Sequence, residues 1–450
     1  MRSKALILAP LLVAAGCAAV GPDYRQPPVA LTPAFVGGTG GPVAALASRE
    51  WWRDYRDPLL NELVGRGLAQ ALTVQSARAA IAGAEANLRA TGVNEALSGS
   101  ASASRDRSGG SQKATGYRSS STLSADVVLD MFGGIRRDRE AAQADLQAAH
   151  DDLQTARLAW LAELIAAYAD ARYYQQALTL AHRTMATRRQ TLDITRTKFE
   201  AGAATELDVA QAQALLDTAA ADVPNDLAQF NANVFAIATL LNEPAGPLLA
   251  RMQQGGAPLR TPGTVPTGVP ADLLRNRPDV RSAEASLHAA TARVGVATAD
   301  MLPSVTLGGS VANASGVKSW SFGPSVSLPL LNQGALAAAR DAKIAAARQA
   351  EIAWRSAVTG AVGDVQLAQS NLTQFRARRV ALDRAAASYG TALSLAQENY
   401  RNGATSLLDL LDTDRSKYSA DVSAASAANT AAQEWATLQI ATGAGAGSPD

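Results

Sequence analysis

Few side chains of this sequence have the types and spacing that chemistry requires. The three histidines, His150, His182 and His288, are dispersed, and no spacing gathers them into a set of metal ligands. No serine, cysteine or pair of carboxylates stands in a pattern that indicates a catalytic group. We therefore predict no enzyme activity, no metal site and no cofactor.

The single cysteine, Cys17, is a candidate for covalent lipidation. A basic N-terminus precedes an apolar stretch, residues 5–15, that is too short to span a bilayer and is typical of a signal peptide. The small residues before Cys17 resemble a bacterial lipobox, in which the cysteine carries lipid after cleavage. Ala18 after the cysteine favours the outer membrane. The alternative is an ordinary signal peptide with an incidental cysteine, since Ala14 stands where leucine is usual.

Two further candidates are aspartates in a turn that the sequence contains twice. The turn reads FEAGAATELDVAQAQA at residues 199–214 and YRNGATSLLDLLDTDR at residues 400–415. Gly202 and Gly403 predict the left-handed residue that ends a helix. The Thr or Ser three residues before Asp208 and Asp409 predicts a capping box at the start of the next helix.

The repeated turn belongs to a larger duplication. ARAAIAGAEANLRAT at 77–91 corresponds to AEASLHAATARVGVA at 283–297, roughly 200 residues later. Each copy predicts a helix, two strands, a very long helix, the glycine turn and a returning helix. We expect the returning helices, over 205–241 and 406–441, to pack antiparallel to the long ones.

The two long helices differ in their glycine content. From Ile135 to Ala201 the sequence has neither glycine nor proline, which predicts a helix roughly 100 Å long. Apolar residues recur along it at heptad-like spacing, from Leu146 to Tyr168. The second copy contains Gly360, Gly363 and Gly390, where we expect the helix to bend or to pack closely.

Four segments alternate between apolar and polar residues, as β-strands with two different faces do. They lie at about 97–107, 118–129, 303–313 and 318–329. About ten alternating residues are typical of a transmembrane β-strand. A water-soluble hairpin that caps the helices would look the same. Because four strands cannot enclose a water-filled pore, a membrane location requires several chains to share one barrel.

Composition excludes one class of partner and one class of fold. The net charge of +1 gives no electrostatic footprint for nucleic acid, so we predict no nucleic-acid binding. Aromatic residues make up only 5 % of the chain, which is few for a compact core, whereas abundant alanine suits close-packed long helices.

Several motifs resemble the outer membrane factors of tripartite efflux systems, the TolC-like channels, and their NodT lipoprotein branch. The motifs are CAAVGPDYRQPPV (17–29), WWRDYRDPLLNELV (51–64), VPTGVPADLLRNRPDVRSAEASL (265–287), DMFGG, GAATELDVAQAQ, ADMLPSVTL and SLPLLNQG. They occur in the family's order and cover nearly the whole chain after Cys17. The resemblance implies a mainly α-helical homotrimer in which each chain gives four strands to one twelve-stranded membrane β-barrel, continued by an α-helical coiled-coil tunnel.

The resemblance also implies partners and site residues. The partners are outer membrane lipid, a periplasmic adaptor and an inner-membrane RND-type transporter. The turns at Gly202 and Gly403 correspond to the periplasmic tip, where the adaptor docks. The implied gate residues are Asp208, Tyr400, Asp409 and Asp412. Thr405 stands where some relatives carry a pairing arginine, which implies a differently built gate.

The predicted organisation follows from the signal peptide, the repeats and the resemblance. It comprises a signal peptide (1–16), a lipidated tether and belt segment (17–56), a first repeat (57–241), an inter-repeat belt segment (242–270), a second repeat (271–443) and a flexible tail (444–450). The predicted function is a channel subunit that passively conducts small molecules across the outer membrane.

Three alternative functions share much of this pattern. A type I protein secretion channel has the same architecture. A metal-efflux channel is not supported, because the five methionines and three histidines form no cluster. A periplasmic coiled-coil scaffold that never enters the membrane would lack a heat-resistant trimeric barrel.

Overall fold

The structure is a computed structural model that describes residues 19–36, 46, 48–111, 113–263 and 267–447. The chain forms two compact units. Of the described residues, unit 1 contains those within 1–30, 77–152 and 279–358, and unit 2 contains those within 31–76, 153–278 and 359–450. Cys17, and with it the predicted lipidation, lies outside the described residues.

The elements follow the duplicated order. The first copy contains α1 (Pro58–Gln70), α2 (Leu72–Ala90), α3 (Val93–Ala96), β1 (Leu97–Gly110), β2 (Lys113–Leu129), α4 (Gly134–Glu200) and α5 (Glu206–Leu240). Helices α6 (Ala245–Gln253) and α7 (Pro270–Asn276) connect the copies. The second copy contains α8 (Pro278–Ala299), β3 (Ser304–Ala314), β4 (Val317–Ser327), α9 (Gln333–Arg401) and α10 (Leu407–Ala441). None of the helices in the described ranges combines the length and apolar character needed to cross a bilayer.

Helix α4 is continuous over its 67 residues, as the absence of glycine and proline predicts. Of the heptad-like apolar positions, Leu153, Trp160, Leu164 and Tyr168 are buried. Burial of one stripe stabilises a helix that is otherwise rich in exposed charged residues.

Helix α9 is also continuous, over 69 residues, so the glycines do not interrupt it. A Cβ atom on Gly390 would lie 3.2 Å from Cε of Lys417, which is the close packing we expected there. Around Gly360 and Gly363 no atom of a described residue, apart from the neighbouring backbone of the same helix, lies within 4 Å of that position. These two residues therefore lack the close packing that was one of the two alternatives we expected. The helical penalty of a glycine, about 1 kcal/mol relative to alanine, is small compared with the packing of a helix this long.

The four strands form one antiparallel sheet in the order β1-β2-β3-β4. Strand β1 extends to Gly110, past the expected end at 107, and β2 begins at Lys113, before the expected start at 118. The extra residues, 108–110 and 113–117, lengthen the first hairpin, and Tyr117 among them pairs with Arg107. In the sequence they carry no apolar alternation, so the pattern could not predict them.

One face of the sheet is apolar and exposed. The register places Ala101, Leu123, Val311 and Trp320 in a single row across the four strands. Leu123, Val311 and Trp320 are 62 %, 58 % and 80 % exposed, respectively. Phe322 and Val326, one and three rows nearer the helical ends of the strands, lie on the same face and are also exposed. Such a large apolar surface marks a contact with lipid or with another protein.

The opposite face is lined by hydroxyl groups. The Oγ atoms of Ser100 and Ser124 lie 2.9 Å apart, and those of Ser310 and Ser321 lie 3.0 Å apart. The register aligns these four serines in one row. The sheet therefore presents a hydroxyl-lined face and an apolar face, with β1 and β4 at its two edges.

In unit 2 an aromatic cluster fixes the segment before α1 to helix α10. The ring of Trp435 lies 5.6 Å from the ring of Trp51 and 5.0 Å from that of Tyr55, both in edge-to-face geometry. The Tyr55 hydroxyl donates to the Ala432 carbonyl at 2.6 Å, and the Trp51 indole donates to the Ala444 carbonyl at 3.0 Å. The buried polar groups of Trp51 and Tyr55 thus both have partners.

Candidate functional site at the paired glycine turns

The two glycine turns have the same backbone geometry. Gly202 and Gly403 have φ values of +73° and +75°, in the left-handed region that favours glycine. The next residue in each turn donates its N–H to a carbonyl five residues back, Ala203 to Lys198 at 2.7 Å and Ala404 to Asn399 at 2.8 Å. The turns therefore close the ends of α4 and α9 as the sequence predicts.

Each returning helix begins with the predicted capping box. The Asp208 N–H donates to the Thr205 hydroxyl at 3.2 Å, and the Thr205 N–H donates to the Asp208 carboxylate at 2.8 Å. In the second copy the Asp409 N–H donates to the Ser406 hydroxyl at 3.2 Å. The Ser406 N–H donates to the Asp409 carboxylate at 3.4 Å, and the Ser406 hydroxyl donates to it at 2.6 Å. Two N–H groups per helix that would otherwise lack a partner are thereby satisfied.

Asp409 has one interaction that Asp208 lacks. The hydroxyl of Thr405, the residue that stands in place of a pairing arginine, donates to the Asp409 carboxylate at 3.2 Å. The hydrogen bonds from Ser406 and Thr405 hold the pKa of the Asp409 carboxyl below its usual value of 3.8. Asp409 and Asp412 are both exposed and, three residues apart on α10, face the same side.

An apolar cluster joins the four helices at the turns. Its buried members come from all four helices: Leu192 of α4; Ala212, Leu215 and Leu216 of α5; Tyr400 of α9; and Leu407, Leu410 and Leu411 of α10. The first and second copies thus share one core in this part of unit 2.

Tyr400 links α9 to α4 through polar contacts as well. Its hydroxyl lies 3.0 Å from the hydroxyl of Thr195, which is fully buried. The ammonium of Lys198 lies 4.1 Å from the centre of the Tyr400 ring and also contacts the Tyr400 carbonyl. Among the described residues Asp208 bonds within its own cap, so the structure joins Tyr400, but not Asp208, to the other copy.

A buried ion pair that the sequence did not predict also connects the two copies. Nε of Arg188 on α4 lies 2.6 Å from the carboxylate of Asp414 on α10. The two side chains are only 5 % and 8 % exposed. Arg188 also donates to the Leu215 carbonyl of α5 at 3.0 Å, and its guanidinium lies 5.4 Å from the ring centre of Tyr418. Arg188 thus joins three helices.

The outer surface of the turns carries apolar side chains in both copies. Leu207 and Leu408, at equivalent places, are 65 % and 61 % exposed, and Phe199 is 45 % exposed. No atom lies within 4 Å of a Cβ built on Gly202 or Gly403, so both turns are open to a partner. The sequence shows that this leucine occurs in both copies, but it does not show that the side chains are exposed.

No group of three or more His, Cys, Asp or Glu residues among those that the structure describes could hold a metal ion. The carboxylates of Asp208 and Asp409 cap the returning helices. The arrangement can hold two copies of a helical hairpin together, present an apolar surface and concentrate negative charge.

Solved channels share this architecture. The outer-membrane channel OprN superposes with a TM-score of 0.88 at 31 % identity, over 95 % of this chain and 99 % of that one. The Neisseria gonorrhoeae MtrE outer membrane channel, in its open state, gives a TM-score of 0.82 at 30 % identity, over 95 % and 98 % of the two chains. The fold is thus that of an outer-membrane channel, and these neighbours are channels, not enzymes.

The chain belongs to the outer membrane efflux protein family, which matches residues 63–243 and 269–444. Nodulation protein T of Rhizobium leguminosarum bv. trifolii is 36 % identical over 96 % of each chain. The pyoverdine export outer membrane protein OpmQ of Pseudomonas putida is 30 % identical over 85 % of each chain. The family and the NodT branch predicted from the motifs are confirmed.

Proposed function

We propose that this protein is the outer membrane channel subunit of a tripartite efflux pump. It passively conducts small molecules that an inner-membrane RND-type transporter and a periplasmic adaptor deliver. The observation that carries the proposal is the four-stranded sheet, with an exposed apolar face, a hydroxyl-lined face and an edge strand on each side. Family membership supports the direction of transport, from the cell to the outside.

The edges of the sheet determine the assembly that we propose. Strands β1 and β4 each have one neighbour within the chain, and an unpaired edge is not tolerated in lipid. Three copies paired edge to edge close a twelve-stranded barrel, with Trp320 and Phe322 towards lipid and the serine row towards water. The long helices then continue the pore through the periplasm as a coiled-coil tunnel.

The paired turns are the proposed periplasmic tip. The exposed Leu207 and Leu408 give an adaptor an apolar surface beside the open turns at Gly202 and Gly403.

We assign the gate to this same tip. In a trimer, Asp409 and Asp412 form two adjacent carboxylate rings, which favour cations. Tyr400 holds the two copies in register behind them, and Asp208 shapes the neighbouring turn.

Small molecules are the proposed cargo, in preference to secreted proteins. The name of the Pseudomonas putida relative refers to export of pyoverdine, which is a small molecule. To test this assignment, we expect cells that depend on this channel to export a fluorescent small molecule. Secretion of a protein without such efflux would instead support the type I secretion channel.

The proposed anchor is lipid on Cys17, after removal of residues 1–16. A Cys17→Ser variant is expected to lose palmitate labelling while some trimer still assembles, because barrel burial exceeds what the acyl chains contribute. Palmitate labelling of the variant would contradict lipidation of Cys17 and hence the lipobox.

The decisive experiment uses the purified full-length protein in detergent. We expect a trimer that resists sodium dodecyl sulfate until it is heated, and stepwise conductance when it is added to planar lipid bilayers. A monomer without conductance would contradict the proposed channel and favour the periplasmic scaffold.

A further inference from the structure

Three cationic side chains follow the apolar face of the sheet towards the hairpin turns. In β4 the apolar residues alternate from Val326 to Trp320, and the next residue on that face is Lys318. In β1 the same face passes through Ala101 and continues to Arg105 and Arg107. We call Arg105, Arg107 and Lys318 the rim cations, and all three are exposed.

The two arginines share an aromatic platform. The Cζ atoms of Arg105 and Arg107 lie 4.9 and 5.6 Å from the ring centre of Tyr117, which is directly opposite Arg107 on β2. Cation–π contacts of this kind leave the N–H groups of a guanidinium free to bind an anion. Tyr117 itself is 64 % exposed, as an aromatic side chain at a membrane interface is.

No acidic side chain shares this face in the strands that the structure describes. The two aspartates of the sheet, Asp106 and Asp126, are at alternate positions and point to the hydroxyl-lined face. Arg118, opposite Asp106, is on that face too. The sheet therefore does not neutralise the rim cations on their own side. The two arginines lie at the β1 edge and Lys318 at the β4 edge, so edge-to-edge pairing in the proposed barrel would bring Lys318 of one copy beside the arginines of the next.

The position of the patch indicates its partner. Successive rows on one face of a strand are about 7 Å apart, so Lys318 lies about 7 Å beyond Trp320. In the proposed barrel the strands enter the helices at one end and the hairpins lie at the extracellular end. The rim cations then lie just outside the apolar band, at the level of the lipid headgroups of the outer leaflet.

We propose that the rim cations bind phosphate groups of anionic lipids in the outer leaflet, an inference that rests on the proposed barrel. Phosphate suits this patch because guanidinium groups bind its oxygens in a bidentate manner and carry the opposite charge. Each cationic side chain near an anionic membrane surface strengthens binding about five-fold. Removal of both arginines should therefore weaken lipid binding by roughly ten- to thirty-fold.

The test uses full-length trimers in detergent with lipid A, which carries two phosphates, or with its dephosphorylated form. Native mass spectrometry measures the bound lipid. We expect wild-type trimers to prefer lipid A, and Arg107→Gln to weaken that preference. Arg118→Gln is the matched control, because it removes the same charge from the same hairpin on the other face, and it should bind as the wild type does.

The double variant Arg105→Gln with Arg107→Gln should lose most of the preference. Equal binding of the two lipid forms by the wild type, or equal losses in Arg107→Gln and Arg118→Gln, would overturn the lipid proposal. Heat resistance and conductance are measured on the same samples. Intact, conducting trimers without a lipid preference would refute only this inference, whereas absence of trimers would refute the proposed function.

Discussion

The buried pair Arg188–Asp414 offers the sharpest test of how the two copies are held together. An Asp414→Leu variant leaves the guanidinium of Arg188 buried without its carboxylate partner, with the Leu215 carbonyl as its remaining acceptor. Breaking a buried ion pair by removal of one partner costs about 3–5 kcal/mol. Because both side chains are less than a tenth exposed, solvent cannot compensate for the loss.

Hydrogen exchange of the purified protein, followed by mass spectrometry, measures this cost where it arises. A loss of about 3–5 kcal/mol corresponds to a fall in protection of about a hundred- to a few-thousand-fold. We expect this fall in peptides that contain Arg188, Leu215 or Asp414, and little change in the strands. An Asp383→Leu variant is the control, since the side chains of the Arg379–Asp383 pair are 34 % and 52 % exposed and surface pairs contribute at most about 1 kcal/mol.

The double variant Arg188→Met with Asp414→Leu separates charge from packing. Replacement of a whole buried pair by apolar residues of similar size is often neutral or stabilising. We therefore expect it to regain most of the protection that Asp414→Leu loses. Additive losses, or a change of less than about three-fold in the single variant, would refute the view that an isolated buried charge dominates this site.

Four other perturbations test the tip and the sheet. Asp409→Asn keeps a capping oxygen and should reduce cation preference in bilayers at pH 5–7; unchanged reversal potentials would remove Asp409 from the gate. Because folding lowers the pKa of Asp409, the ionised carboxylate stabilises the fold fully above about pH 3.8. This stabilisation should disappear only as the pH falls through the lower pKa that Asp409 has in the folded state. Hydrogen exchange at the N-terminus of α10 measures the loss. Gly403→Glu should weaken adaptor binding more than trimer heat resistance, and equal losses would limit the turn to a folding role. Val127→Arg, on the apolar face, should destabilise the proposed barrel by about 2–4 kcal/mol, measured by its resistance to heat. Val128→Arg, on the opposite face, should have a smaller effect. Equal effects would contradict the assignment of the apolar face to lipid.

Local features of the fold could be predicted from the sequence because their causes are local. The capping boxes at Asp208 and Asp409 and the left-handed glycines depend on residues within one turn. The continuity of α4 follows from the lack of helix-breaking residues between Ile135 and Ala201.

Long-range pairings could not be predicted in this way. Arg188 and Asp414 are 226 positions apart, and nothing in their local sequence marks either as buried. The sequence shows that Thr405 stands where some relatives have an arginine. Only the structure shows that the Thr405 hydroxyl donates to the Asp409 carboxylate. The open surroundings of Gly360 and Gly363 likewise depend on which helices face them, which periodicity within one helix does not reveal.

The serine row on the sheet has a bearing on how selective such a pore can be. Each hydroxyl can donate or accept a hydrogen bond, and it carries no formal charge. Ser100, Ser124, Ser310 and Ser321 would therefore wet the wall without recognising any particular solute. In the proposed channel, discrimination between cargoes would then rest on the charged residues of the same face, Asp106, Arg118 and Asp126, and on the proteins that deliver the cargo.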